Sequence, residues 1–188
     1  MDKDGNGRHG PAGIGEVTGF WRQAGPARWF EKDPQFDRDF KDRFLDLHIA
    51  AAGRKLDHWS RTAEGSLALM VLLDQFPRNA FRGTAHMYAT DPLARMFAER
   101  AIQSGHDREV ERELRVFFYL PFSHSEDLAH QDRAVELNRG QDPEAEKHAL
   151  IHREIIQRFG RFPHRNPMLG RETTPEEQAF LDAGGFAG

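Results

Sequence analysis

The longest unbroken apolar run in the chain is residues 67–73, reading LALMVLL. It has no polar position to show to water and is too short to cross a bilayer, so it predicts an element buried on every side. Leucine, methionine and alanine favour helix and only Val71 is β-branched, which points to a buried helix rather than a strand. The run continues through Asp74 and Gln75, and a stop is expected at Phe76-Pro77, because proline has no N–H to donate.

Elsewhere apolar residues recur at helical spacing. Val17, Phe20 and Trp21 share a face before Pro26 breaks the pattern ahead of Trp29 and Phe30, and this aromatic group reads as core packing. Asp33-Pro34 is a cap-plus-proline start for a helix whose stripe is Phe36, Phe40, Phe44, Leu47, His48 and Ala51 and whose stop is Gly53. His48 on that stripe reads as a satisfied core histidine. Asp91-Pro92 repeats the start, with Leu93, Met96, Phe97 and Ala101 facing inward as far as Gly105. Asp107 opens a helix through Leu114, Phe117 and Phe118, closed by Pro121. Ser123 to Glu126 has capping-box spacing, after which His124, Asp127, Leu128, Gln131 and Val135 fall on one face. Asp142-Pro143 opens a long helix with Ala145, His148, Ala149, His152, Ile155, Ile156 and Phe159 on its stripe and Gly160 at its end. Thr174 and Glu177 form a second capping box.

No stretch alternates at period two for long enough to make a sheet. The expected fold is therefore all-α, with eight to ten short helices in a single domain over residues 14–188, preceded by a Gly-rich, polar segment, residues 1–13, expected to be disordered. The cap-plus-proline starts lie 58, 51 and 32 residues apart, which is no fixed period. In the first segment Asp2, Asp4, Asn6 and Gly7 mimic a calcium loop, but His9 stands at its eighth position and Gly13 at its twelfth, where a bidentate glutamate belongs, and the pattern fails.

Composition narrows the function. The chain has no cysteine, so disulfides, thiolate metal sites and cysteine nucleophiles are out. No charged-then-apolar leader or long hydrophobic span is present, so a soluble, cytoplasmic protein is expected, with no membrane partner. A net charge of −4 argues against a general nucleic-acid binder. All but five of the 26 basic residues are arginine, whose planar forks hold carboxylates and phosphates where lysine cannot, although coding-gene composition gives the same excess.

Candidate chemistry begins at Asp74, a carboxylate at the end of an otherwise apolar helix, which requires a cation. Arg78, Asn79 and Arg82 follow it, and a second turn over residues 161–171 repeats Phe-Pro before His164, Arg165, Asn166 and Arg171. If the two preceding helices pack in parallel, both turns open on one site. That site would gather Asp74, Gln75, Arg78, Asn79 and Arg82, then His124, Glu126 and Asp127, and finally His152, Arg153, Arg161, His164, Arg165, Asn166 and Arg171.

Three readings stay open. The site is a pocket for an anionic small ligand or acidic peptide end; or an acid–base, hydrolase-like enzyme uses His124 or His164, oriented by Asp127 or Asp74; or the polar residues form a buried network that only fixes the fold. The capping box can account for Glu126 without any ligand. His148 and His152 are spaced i, i+4 as in zinc helices, with Glu126 or Asp127 as a carboxylate, but they lack the intervening glutamate and lie on the core stripe, so no metal or cofactor is expected.

Four motifs, FWRQAG…WFEKDPQFD, LALMVLLDQFPRNAFRG, FYLPFSHSEDLAHQDRAVEL and HREIIQRFGRFPHRNPMLGRETTPEEQAFL, resemble in their order the bacterial family known as domain of unknown function 924, over about Phe20 to Leu181. Arg22 stands where an aromatic residue is expected. The resemblance implies an α-α superhelix of the tetratricopeptide-like kind and supplies no activity.

Overall fold

The computed structural model describes residues 11–187. The calcium-like positions Asp2, Asp4, Asn6, Gly7 and His9 lie outside them, as do residues 1–10 of the segment expected to be disordered. The last three residues of that segment instead open the first helix.

The elements are α1 (Pro11–Ala24), α2 (Pro26–Trp29), α3 (Pro34–Ala52), α4 (Ala63–Met70), α5 (Phe76–Ala80), α6 (Asp91–Gln103), α7 (His106–Glu109), α8 (Val116–Ser123), α9 (Leu128–Asn138), α10 (Pro143–Phe159) and α11 (Pro175–Asp182). A π turn, Val71–Gln75, joins α4 to α5 in one continuous helix, and short 3-10 turns link several of the others. Among the described residues there is no strand, and no helix is long and apolar enough to cross a membrane.

Each residue of the 67–73 run is fully buried, and α1, α3, α6 and α8 surround it. Trp21, Phe40, Phe44, Phe76 and Phe117 belong to the same core, as their spacing predicts. The close approach of α4 to the turn before it depends on Gly65, where a Cβ would lie 2.1 Å from the Trp59 carbonyl oxygen. Arg22 is a tie rather than a core residue: its guanidinium reaches Glu64 at 2.9 Å and Glu111 at 2.9 Å, joining α1 to α4 and to the segment before α8. A smaller core under α10 contains Ile155, Ile156 and Phe162, with Phe159, Phe180 and Phe186 against it.

Several boundaries differ from expectation. The helix does not stop at Phe76-Pro77, because the π turn lets the chain absorb the proline and continue to Ala80. Pro121 sits inside α8, and the helix expected from Asp107 is interrupted at Val110, which is extended. No capping box forms at Ser123 and Glu126. Asp127 is the N-cap of α9, accepting from Ala129 N–H and His130 N–H at 2.8 and 3.2 Å. Asp127 and Leu128 are exposed, so the buried face of α9 is Gln131, Ala134 and Asn138. His148, expected on the core stripe of α10, is exposed.

Candidate functional site

The π turn shapes the site. Phe76 N–H reaches back five residues to the Val71 carbonyl, and Pro77 has no N–H, so the carbonyls of Leu72 and Leu73 lose their helical donors. Side chains from other helices replace them. His48 Nδ1 on α3 lies 2.9 Å from Leu72 O, and the Thr90 hydroxyl before α6 donates to Leu73 O at 2.5 Å. The bulge is thus the joint at which α3 and α6 are tied to the central helix, and His48 is the satisfied core histidine that its stripe implies.

Asp74, at the fourth position of the π turn, has no exposed surface. Its Oδ1 accepts from His124 Nδ1–H at 2.7 Å and lies 3.3 Å from Arg78 Nη1, and its Oδ2 accepts from the Gln75 amide. Arg78 also donates to the Asp74 carbonyl at 2.7 Å and forks onto Asp91 at 2.9 and 3.1 Å. Asp91 looked like a helix cap from its Asp-Pro start. Thr90 occupies the N-cap position without capping, and Asp91, one residue inside the helix, gives its carboxylate to Arg78. A cap-capable threonine directly before an Asp-Pro start is the signal that could have revealed this.

Arg165 approaches from the second turn. Its guanidinium carbon lies over the Tyr88 ring, 4.5 Å from the centroid, and over the Phe162 ring, 4.4 Å from the centroid. The residue is only 7% exposed, yet among the described residues its one charge contact is Asp91 Oδ2 at 3.9 Å, it donates no side-chain hydrogen bond, and its Nε is buried without a partner. The two Phe-Pro turns therefore meet at Asp91, with Arg78 on one side and Arg165 on the other.

The remaining polar residues of the two turns serve elsewhere. Asn79 and Arg82 hold Asp37 of α3 at 2.8 and 3.0 Å. Arg161 forks onto Glu177, which also accepts from Asn166 and from Thr174 N–H. Arg171 forks onto Glu126 at 2.7 and 2.8 Å, and Glu126 accepts the Phe162 N–H at 2.8 Å, so Glu126 anchors the second turn instead of capping α9. Arg153 pairs with Asp132 on the surface. Asp127 orients no histidine of the site; its closest histidine contact is His130 Nδ1 at 3.8 Å on its own helix. A hollow of about 520 Å³ between Arg161, Arg171 and the 172–175 segment is lined by cations that are already paired.

Titration follows from these surroundings. Burial opposes ionisation of Asp74, but Arg78, His124 and the hydrogen bonds outweigh it and hold the carboxyl below the ordinary range. Burial and Arg78 lower His124 against the pull of Asp74, so the pair is a carboxylate beside a neutral imidazole. Burial brings His152 down to about 3 and His164 to about 4, with Arg165 adding to both effects. Both ring nitrogens of His152 are buried without a partner.

These groups line a cleft of about 1210 Å³. Arg78, Tyr88, His124, His152, His164 and Arg165 line it together with Trp29, Phe30, Val116 and Leu120, which give it an apolar wall. Among the described residues no group of three or more His, Asp or Glu is arranged to hold a metal, and His148 and His152 have no third donor.

A comparison with curated proteins finds no match. The chain is similar to the solved structure of a protein of unknown function, ATU0120, from Agrobacterium tumefaciens, with 61% sequence identity and a TM-score of 0.90, over 92% of this chain and 98% of that one. Residues 17–185 match the family model described as bacterial protein of unknown function, DUF924. The chain, with its π turn, its two Phe-Pro turns and the cleft between them, belongs to the DUF924 family of bacterial proteins.

Proposed function

We propose that the cleft binds a small anionic ligand with an apolar body, and that Arg165 takes the anion. One observation carries this reading: Arg165 is a buried guanidinium with five N–H donors, lining an open cleft, and no acceptor among the described residues is hydrogen-bonded to any of them. Taking a charge out of water costs several kcal/mol unless a partner compensates, and Asp91 at 3.9 Å, already forked onto Arg78, does so only in part. An oxyanion entering the cleft supplies the missing acceptor through charge-assisted bonds. Contacts with the Tyr88 and Phe162 rings hold the guanidinium in place, and its planar fork suits a two-oxygen acceptor such as a carboxylate or phosphate. The apolar wall at Trp29, Phe30, Val116 and Leu120 receives the rest of the molecule.

The test is thermal unfolding with inorganic phosphate, phenyl phosphate, benzoate and 4-hydroxybenzoate. An anion at 100 times its dissociation constant adds about 2.7 kcal/mol to the wild type. Arg165→Gln is expected to abolish that gain while Arg153→Gln, on the surface, keeps it. If none of these anions raises the melting temperature, or if Arg165→Gln responds as the wild type does, the reading fails.

A further inference from the structure

We infer that His124 is a general base in this cleft, held by Asp74, and that the reaction it serves is attack of water on an ester whose other end carries a carboxylate. The inference rests on the anion-binding reading above, which places that carboxylate on Arg165.

Three observations carry it. The Asp74 carboxylate, fully buried, takes the Nδ1–H of His124 at 2.7 Å, which fixes the tautomer and leaves Nε2 with its lone pair. Among the described residues the His124 ring makes no other hydrogen bond, and it lines the cleft that Arg165 lines. Because no serine, threonine or tyrosine hydroxyl among the described residues is bonded to the His124 ring and the chain has no cysteine, the proton that Nε2 takes comes from a molecule entering the cleft, for which we take water.

A buried pair used only to fix the fold has no need of an open side. Ionic stapling of the second turn is performed by guanidinium–carboxylate forks, Arg171–Glu126 and Arg161–Glu177, whose partners face each other on both sides. The Asp74–His124 pair instead closes on one side and opens on the other. The groups that face His124 are Asp74 and Arg78 from the π turn and α5, Asp91 from α6, His152 from α10 and His164 from the second turn. Burial, then Arg78, keeps the imidazole neutral in the resting site, and Asp74 stabilises the imidazolium when it forms.

The step balances without a further reactant. Nε2 takes a proton from water as the water oxygen bonds to the ester carbonyl carbon, and the carbonyl π pair moves onto oxygen. The tetrahedral species then collapses, the carbon–alkoxide bond breaks, and the imidazolium returns its proton to the leaving alkoxide. Ester and water become acid and alcohol. Asp74 stays ionised throughout as a positioning residue.

The probe is 4-acetoxybenzoate, with phenyl acetate as the analogue that lacks the carboxylate. Wild-type protein is expected to hydrolyse the first faster than the second and above the buffer rate. His124→Gln, which keeps an amide donor for Asp74, should lower kcat by roughly 10²-fold or more. Arg165→Gln should raise KM with less effect on kcat, and His124→Gly should recover activity in added imidazole. A second measurement needs no substrate: long-range proton–nitrogen spectra of the wild type at pH 7 should show His124 protonated on Nδ1 and bare on Nε2. If 4-hydroxybenzoate stabilises the protein through Arg165 but 4-acetoxybenzoate is not turned over, or His124→Gln turns it over as well, the inference is overturned and the binding reading stands. If neither stabilisation nor turnover occurs, both fall. An Nε2-protonated or charged His124 overturns the inference by itself.

Discussion

Replacing His152 should flatten the response of stability to mild acid, and the size of the effect follows from its surroundings. His152 is 8% exposed, makes no well-formed ring hydrogen bond among the described residues, with the Ser123 backbone offering only a weak counter-pull, and is packed edge-on to Phe162 and Phe186 with ring centroids 5.3 and 4.5 Å away. Burial first, then the charges of His124, Arg165 and His148, lower its pKa from 6.5 to about 3. In the unfolded chain the ring titrates near 6.5, so below that pH the unfolded state binds a proton the folded state refuses. The stability that the neutral ring confers is therefore complete above pH 6.5 and is lost as pH falls towards 3. Between pH 7.5 and 5.0 this amounts to about 1.5 pH units at 1.36 kcal/mol each, or about 2 kcal/mol. His164, lowered to about 4, adds a similar loss over the same interval. The carboxyl groups held below their ordinary range, including Asp74, Glu126 and Glu177, stay ionised there and contribute nothing. Urea unfolding of the wild type at the two pH values should show a loss of more than about 4 kcal/mol, since burial lowers His48, His124 and His130 as well, and His152→Leu should lose about 2 kcal/mol less than the wild type at an unchanged m-value. If His152→Leu loses as much as the wild type, the ring is not a neutral group shut away from protons, and the account of its burial is wrong.

Two further perturbations separate the joint from its surroundings. Thr90→Val removes the only side-chain donor to the Leu73 carbonyl while keeping the shape, and should cost about 1–3 kcal/mol in equilibrium unfolding; a neutral result would mean that the carbonyl freed by Pro77 finds another donor. Asp91→Asn takes away the carboxylate that Arg78 forks onto and should cost about 3–5 kcal/mol, whereas Asp127→Ala loses only a helix cap, about 1 kcal/mol, and should leave anion binding unchanged. Equal losses for the two aspartates in urea unfolding would contradict the division between site and cap.

The helices were legible because their signals are local. Asp33, Asp142 and Thr174 each cap the helix they precede, and the stripe of Phe36, Phe40 and Phe44 is buried as its spacing requires. Asp74 was also legible, since a carboxylate following seven apolar residues has nowhere to go but the interior. What failed depends on structure that no window of sequence contains. Pro77 reads as a stop because the π turn that accommodates it has no composition of its own, and its stability comes from His48 and Thr90, 29 residues before it and 13 after. Glu126 and Asp127 exchanged roles for a similar reason: both are acidic residues near a helix start, and which one caps was decided by Arg171, 45 residues away. His148 and His152 share a helical stripe, but the stripe runs from the open cleft into the smaller core, so one is exposed and the other buried.

The excess of arginine in the two turns can be divided between staple and site by one series of substitutions. Of the five guanidiniums contributed by these turns, four have carboxylate hydrogen bonds: Arg78 with Asp91, Arg82 with Asp37, Arg161 with Glu177 and Arg171 with Glu126. Arg165, the least exposed of the five by side chain at 8%, has none. If all five were present to hold the fold, truncating the most buried should cost most. The geometry gives the opposite order. Arg78→Met leaves Asp74 and Asp91 in the interior short of a cation and should cost about 3–5 kcal/mol. Arg165→Met removes a charge whose desolvation is poorly compensated and puts an apolar chain between Tyr88 and Phe162. The lost cation–π contacts, about 0.5–2 kcal/mol, oppose that gain, so stability should stay within about 1 kcal/mol of the wild type or rise. Urea unfolding at pH 7.5 measures both. A loss at Arg165→Met as large as that at Arg78→Met would make Arg165 a fifth staple, whereas unchanged or increased stability leaves a buried cation whose presence the fold does not require and whose partner comes from outside the chain.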